Sequence, residues 1–321
     1  MSVYTELTDA DIGAILSHYT LGTLLSFEGI AAGIENSNFF VTTNQGRYVL
    51  TVFERMDADE LPYFMHLMHH LSAAGVACPD VMRQGNGDFL FDVLSPDGAG
   101  KKGAIVSCLS GRTLETLSEK QLFEAGRALA GLHLAGASFD QRRENSTGFA
   151  WLQQTAKQMA ADVARVYGAD AAQLLADELQ WQAERSDDGL PRGVIHGDLF
   201  CDNILFEGDA VSGVIDFYYA HDAAYAMDIA ISLNALAMQA GMPCEQGADA
   251  QRMACFLKGY GALRPLNQAE HAALQGLLRR AALRFWSSRL YDALYPRGGA
   301  MTTTKDPEEY RLKLLFHRNR S

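Results

Sequence analysis

Residues 24–53 read as a strand meander, LLSFEGI, NFFVTT and then RYVLTVF with its alternating and β-branched residues, separated by the small-residue turn AAGIENS and by NQG. This pattern predicts three antiparallel strands, because successive side chains of a strand point to opposite faces and the intervening residues favour turns. The next stretch, DADELPYFMHLMHHLSAAG, changes to helical spacing. Asp57 is the expected N-cap, Pro62 falls in the tolerated first turn, and Gly75 supplies the stop. DFLFDVL and GAIVSCL, divided by the turn-rich SPDGAGKKG, predict two more strands. The first lobe is therefore expected to hold five strands and one helix.

After Ser110-Gly111 the texture becomes rich in Ala and Leu at helical spacing, through SEKQLFEAGRALAGLHLAG, WLQQTAKQMAADVARVY and AAQLLADELQWQAE. Strand character returns only over residues 194–217, and helices resume at MDIAISLNALAMQ and continue onward. The expected fold class is α+β. A small antiparallel N-terminal lobe covers residues 1–106, a connector 107–111, and a larger, mostly helical lobe 112–321, with a binding cleft at the connector.

Composition narrows the partners. With 321 residues, 48% of them hydrophobic, the chain is long enough for two separate cores. A formal charge of -12, with the 27 basic residues scattered rather than striped, argues against nucleic acid and for a small-molecule substrate. The cysteines at 78, 108, 201, 244 and 255 have neither CxxC spacing nor a dense framework, so reduced thiols in a cytoplasmic protein are expected, with no zinc site. The N-terminal MSVYTELTDADIGAIL lacks the features of a leader, and no window reads as a membrane span. Nothing in the chain calls for an obligate protein partner.

The chemistry concentrates in VIHGDLFCDNILF, residues 194–206, and in the following VIDFYYA. Asp198 and Asn203 are five positions apart, and Asp216 follows eighteen after Asp198 (216 minus 198). The intervening NILFEGDAVSGVIDF reads as a hairpin turning at EGDA, which is expected to bring Asp216 back beside the other two. Two carboxylates and an amide oxygen are hard ligands suited to Mg²⁺ when phosphates complete its shell. Phosphoryl transfer needs such a site, with one of the carboxylates left over to receive or orient the acceptor hydroxyl's proton. An HxD with a downstream Asn also arises by chance. The second Asp across a predicted hairpin, after a five-stranded lobe and a connector, is the context that favours the catalytic reading.

In their order, HGDLFCDN, VIDF and the later MDIA resemble the aminoglycoside phosphotransferase and choline kinase superfamily of protein-kinase-like, two-lobed small-molecule kinases. GIENSNFFV, RYVLTVFER, HGDLFCDNILF, IDFYYA, RFWSSRLYD and KDP resemble its homoserine kinase branch more closely. The resemblance implies ATP and Mg²⁺ as cofactors and L-homoserine as acceptor, giving O-phospho-L-homoserine for threonine biosynthesis. It implies that Asp198 is the catalytic aspartate, that Asn203 and Asp216 bind the metal, and that the connector Ile105–Ser110, with Ser107 and Leu109, meets adenine through its backbone. His196 is then architectural, and Asp228 holds the catalytic loop by hydrogen bonds.

The remaining assignments stay open on the sequence. The loop from Gly29 to Asn38, with Gly33, Asn36 and Ser37, is either a backbone cradle for phosphates or a plain hairpin turn. Thr51 stands where kinase-like folds carry a third-strand Lys or Arg, and Arg47 or Arg55 are candidates for the missing charge. Arg280 and Arg284, at i and i+4, offer a carboxylate clamp, and Asp222 an ammonium partner; the alternative for each arginine is a surface salt bridge. His66, His69 and His70, with no acidic or cysteine partner nearby, are expected to be surface or packing residues rather than metal ligands, and His133 in LAGLHLAG a core helix residue. The same fold admits choline or ethanolamine, methylthioribose and aminoglycoside kinases, and the departure at Thr51 admits an inactive nucleotide-binding relative.

Overall fold

Five strands, β1 (Leu24–Gly29), β2 (Asn36–Thr43), β3 (Gly46–Phe53), β4 (Leu90–Leu94) and β5 (Gly100–Ser107), form one antiparallel sheet in the order β1-β2-β3-β5-β4. The computed structural model describes residues 5–30, 36–94, 100–238, 248–296 and 305–320. The chain divides into two units, Met1–Gly111 with Ser212–Ile215, and Arg112–Val211 with Asp216–Ser321.

In the first unit the period of two sends Phe39, Val41, Leu50, Val52, Phe91, Val93 and Ile105 to one face of the sheet, where Ile12 and Leu16 close the core. Those two residues belong to a helix absent from the sequence expectation, α1 (Asp9–Leu16), so the described residues of the unit include two helices rather than one. Its start is a capping box: the Thr8 hydroxyl accepts from Asp11 N, and the Asp11 carboxylate accepts from Thr8 N. The second helix, α2 (Leu61–Ala73), begins after Glu60, not after Asp57. The Asp57 carboxylate is taken by Asp59 N in a local turn, which leaves Pro62 to open the helix. His69 also departs from expectation, because its Nδ1 lies 2.9 Å from Asp80 Oδ1.

The second unit is built on α3 (Glu119–Gly136), α4 (Phe149–Tyr167), α5 (Ala169–Ala183), α6 (Tyr225–Ser232), α7 (Ala248–Gly261), α8 (Gln268–Leu294) and α9 (Pro307–Arg318). Its core joins Leu152, Met159, Leu174, Trp286, Leu290, Tyr310 and Leu314 from four of these helices. Helices α3 and α7 touch backbone to backbone. A Cβ at Gly126 would lie 2.1 Å from Phe256 O, and one at Gly259 would lie 1.9 Å from Phe123 O. Short strands interrupt the helices: β6 (Arg192–Ile195) pairs antiparallel with β9 (His221–Ala224), and β7 (Ile204–Glu207) pairs with β8 (Ala210–Val214) around Gly208, whose φ of 62° suits glycine. Among the described residues, no helix is long and apolar enough to cross a membrane.

Candidate active site

Residues 196–203 leave β6 as a loop whose polar backbone groups are tied down one by one. Asp228, fully buried on α6, accepts from His196 N through Oδ2 at 2.7 Å and from Gly197 N through Oδ1 at 2.9 Å. The carbonyl of Gly197 accepts from Arg284 Nη1 on α8 at 2.7 Å, so both sides of this residue are held. Gly197 has φ +77°, and a Cβ there would lie 2.8 Å from Tyr219 O, so conformation and space both demand glycine. His196, buried against Phe217, accepts Asp198 N–H at its Nδ1 (3.3 Å).

Asp198 follows with its carbonyl accepting from Phe200 N at 3.0 Å and from Asn203 Nδ2 at 2.8 Å. Asn203 Nδ2 also reaches Asp198 Oδ2 at 3.3 Å. This turns the amide nitrogen of Asn203 toward Asp198 and leaves Asn203 Oδ1 without a donor among the described residues. Asp216 stands two residues beyond β8 as the one described non-glycine residue with positive φ (66°). A left-handed aspartate is costly enough to mark a position fixed by its surroundings. Asn203 Oδ1 and the Asp216 carboxylate are hard oxygen donors, a set that fits a small divalent cation better than a soft one.

The support behind the loop runs deeper than the sequence indicated. Asp228 Oδ2 lies 3.0 Å from His133 Nε2 on α3; His133 Nδ1 lies 2.7 Å from the Tyr260 hydroxyl on α7; that hydroxyl accepts from Arg264 Nη1 at 3.1 Å; and Arg264 pairs with Glu270 at the start of α8 (2.8 Å). Burial alone would raise the Asp228 pKa, but His133 and the Gly197 amide hold the carboxyl below its ordinary range. Burial lowers the His133 pKa despite Asp228, so a neutral imidazole meets an ionised carboxylate. Neither His133 nor Tyr260 was assigned a role from sequence. The only local signal was a histidine on the apolar face of LAGLHLAG.

The substrate candidates separate. The Asp222 carboxylate on β9 is engaged by Arg142 Nη1 and by Arg143 N (3.0 Å). Arg280 turns toward α5, donating to Gln182 Oε1 (3.0 Å) and Arg185 O (2.9 Å) and lying 3.5 Å from Asp187. Arg284 is instead buried beside Gly197, over the Phe285 ring at 4.5 Å.

In the first unit Gly33 lies outside the described residues, and Asn36 opens β2. The Ser37 hydroxyl is buried, accepting from Thr5 N (3.0 Å) and donating to Glu54, which also pairs with Lys101. Thr51 is buried on β3, and its Oγ1 donates to Asn38 Oδ1 across the strand pair at 2.8 Å. Arg47 lies at the surface beside Glu28. Ser107 ends β5 with its Oγ accepting from Asp80 N (2.9 Å), and Leu109 follows it, partly buried.

Comparison with known proteins agrees with this architecture. The model of the phosphotransferase enzyme family matches residues 26–266. Homoserine kinase from Methylobacillus flagellatus is 43% identical over 317 residues, covering 99% of this chain and 95% of the relative. Homoserine kinase from Methylobacterium radiotolerans is 44% identical over 320 residues, covering 99% and 96%. A solved structure, the amicoumacin kinase hAmiN in complex with AMP-PNP, Ca²⁺ and Ami, has the same fold, with a TM-score of 0.69 over 96% of this chain and 92% of its own at 15% identity. The chain therefore belongs to the phosphotransferase enzyme family, in its homoserine kinase branch.

Proposed function

We propose that the protein transfers the γ-phosphoryl group of ATP to the side-chain hydroxyl of L-homoserine, producing O-phospho-L-homoserine for threonine biosynthesis in the cytoplasm. The observation that carries the choice of acceptor is the likeness, over 99% of the chain, to homoserine kinases. Asp198 is the base that receives or orients the acceptor hydroxyl's proton, and the fixed backbone on both sides of it keeps that carboxylate in place. Asn203, through Oδ1, and Asp216 hold Mg²⁺, which when bound neutralises phosphate charge. Backbone groups at Ser107 and Leu109 meet adenine, and Asn36 borders the phosphates. The Ser37 hydroxyl, committed to Glu54, supports that strand rather than touching nucleotide. Nucleotide and divalent-metal use is supported by the AMP-PNP and Ca²⁺ in the amicoumacin kinase structure.

The test is an ADP-release assay with L-homoserine, choline and methylthioribose supplied side by side. Homoserine is expected to give the highest kcat/KM. A higher value for either of the others overturns the acceptor while leaving the kinase reading intact.

A further inference from the structure

Phe200 is where the loop carrying Asp198 and Asn203 meets the C-terminal helices. Its backbone is bonded to both residues: Phe200 N donates to the Asp198 carbonyl at 3.0 Å, and Phe200 O accepts from Asn203 N at 3.0 Å, at the head of the 3₁₀ turn Cys201–Asn203. Its half-buried side chain packs on α8 and α9. The ring stands edge-on to Phe285 with centroids 4.9 Å apart and lies 6.4 Å from Tyr310, and the rings of Phe285 and Tyr310 are 5.2 Å apart. All three separations fall in the range where aromatic rings attract one another.

The seat beneath Phe200 is firmly built. Tyr310 is 0% exposed, and the Arg289 guanidinium and the Lys313 ammonium each lie 4.5 Å from its ring centroid. Both cations pair with Glu309 at 2.6 Å. Phe285 lies under the Arg284 guanidinium, which donates to the Gly197 carbonyl. Helix α8 therefore grips the loop on either side of Asp198, by a hydrogen bond at Gly197 and by a ring at Phe200. On the solvent side Lys305 Nζ is 5.3 Å from the Phe200 centroid and 3.3 Å from Asp202, but that pair is exposed and screened, so it adds little.

The hydrogen bonds joining Asp198, Phe200 and Asn203 close within the turn, so they set its shape without placing it against the rest of the unit. Placement needs a contact that leaves the turn, and the Phe200 ring makes one. We infer that Phe200 is a positioning residue for phosphoryl transfer: its ring, seated on Phe285 and Tyr310, places the turn that presents both Asp198 and Asn203, and so makes α9 necessary for turnover. The inference rests on the roles proposed above for those two residues and acts through them.

Phe200→Leu removes the ring and keeps an apolar side chain. It is expected to lower kcat by about 10- to 100-fold and to raise the Mg²⁺ concentration for half-maximal activity about ten-fold, the scale of losing a group that supports a metal ligand. KM for L-homoserine should stay within about two-fold, because the displaced groups act on the reaction rather than on acceptor binding. Tyr310→Leu, one ring further away, should move kcat and the Mg²⁺ midpoint in the same directions by smaller factors. Tyr310→Phe should retain what Tyr310→Leu loses, because it keeps the ring and drops a hydroxyl that has no partner among the described residues. The Mg²⁺ midpoint does not depend on how much of the protein is folded, so lost stability alone leaves it in place; melting temperatures are measured in parallel. A midpoint within about two-fold of wild type in Phe200→Leu, or a Tyr310→Phe variant as impaired as Tyr310→Leu, overturns the inference. Asp198→Asn, assayed alongside, separates the two ways of failing. Wild-type turnover in that variant overturns the functional reading and this inference together, whereas an inactive Asp198→Asn beside an unimpaired Phe200→Leu overturns this inference alone.

Discussion

His133 and Asp228 are 95 residues apart in sequence, yet an imidazole nitrogen and a carboxylate oxygen meet at 3.0 Å with both side chains shielded from solvent. Removing the ring leaves an ionised carboxylate buried with one donor fewer. His133→Ala is expected to cost about 1.5–3 kcal/mol of unfolding free energy, the scale of one hydrogen bond to a charged group. It should also lower kcat, because Asp228 holds the amides of His196 and Gly197. Urea denaturation and steady-state kinetics on the same preparation check both effects.

On the proposed role of Asp198, Asp198→Asn removes the base and no phosphate contact. Turnover should fall by about 10²- to 10⁴-fold, the scale of general-base contributions, while nucleotide affinity stays within about two-fold. Residual kcat above about a tenth of wild type would move the base elsewhere.

Asp216→Ala and Asn203→Ala should behave differently from that variant, because they remove proposed metal ligands. Both are expected to raise the Mg²⁺ concentration for half-maximal activity as well as to slow the reaction. A Mg²⁺ titration of each variant reads this directly, and an unchanged midpoint would refute the assignment.

Stability should weaken on mild acidification. Burial, ahead of nearby positive charges such as Arg284, pushes the His221 pKa from its ordinary value of 6.5 down to about 4; burial likewise pushes His317 down to about 3. The folded state keeps both rings neutral while the unfolded chain protonates them. Their contribution is therefore whole above about pH 6.5 and is lost as pH falls toward 4, at about 1.4 kcal/mol per ring per pH unit. Denaturation midpoints from neutral pH down to about 5 should fall accordingly, and His221→Gln should reduce the slope by about one proton.

Gly259→Ala places a methyl where Phe123 O stands 1.9 Å away, against backbone rather than a flexible side chain. A loss of about 1–3 kcal/mol in stability is expected from this overpacking. The distance between His133 and Tyr260 depends on the same helix contact, so kcat should fall with it. Thermal unfolding and kinetics of the variant test the link.

The strands of the first sheet were legible because burial alternates along β2, while β3 and β5 are short apolar runs, buried on both faces over four residues and bounded by turn residues. The short α1 was not: eight residues give too few turns for periodicity to register, and only Thr8 and Asp11 announced it. The start of α2 was misplaced because an aspartate caps turns as readily as helices, and Asp57 bonded to the nearer amide. At the candidate site, HGDLFCDN and VIDF singled out Asp198, Asn203 and Asp216 because their spacing is local. The partners of Asp228 and the separate fates of Arg280 and Arg284 were not readable. They depend on which helix lies across a given face, which no window of sequence contains.

The row from Arg264 to the Gly197 loop has a polarity that cannot be reversed. Arginine has only hydrogens to give, so the Tyr260 hydroxyl must hand its own proton toward His133 Nδ1, His133 must present Nε2–H to Asp228, and Asp228 must remain an acceptor for two amides. A row of this kind acts as a ratchet with one tooth rather than as a proton wire: there is no second arrangement to switch into. The reactive loop is accordingly set once, at folding, and the enzyme's responsiveness must lie in the groups that meet its ligands.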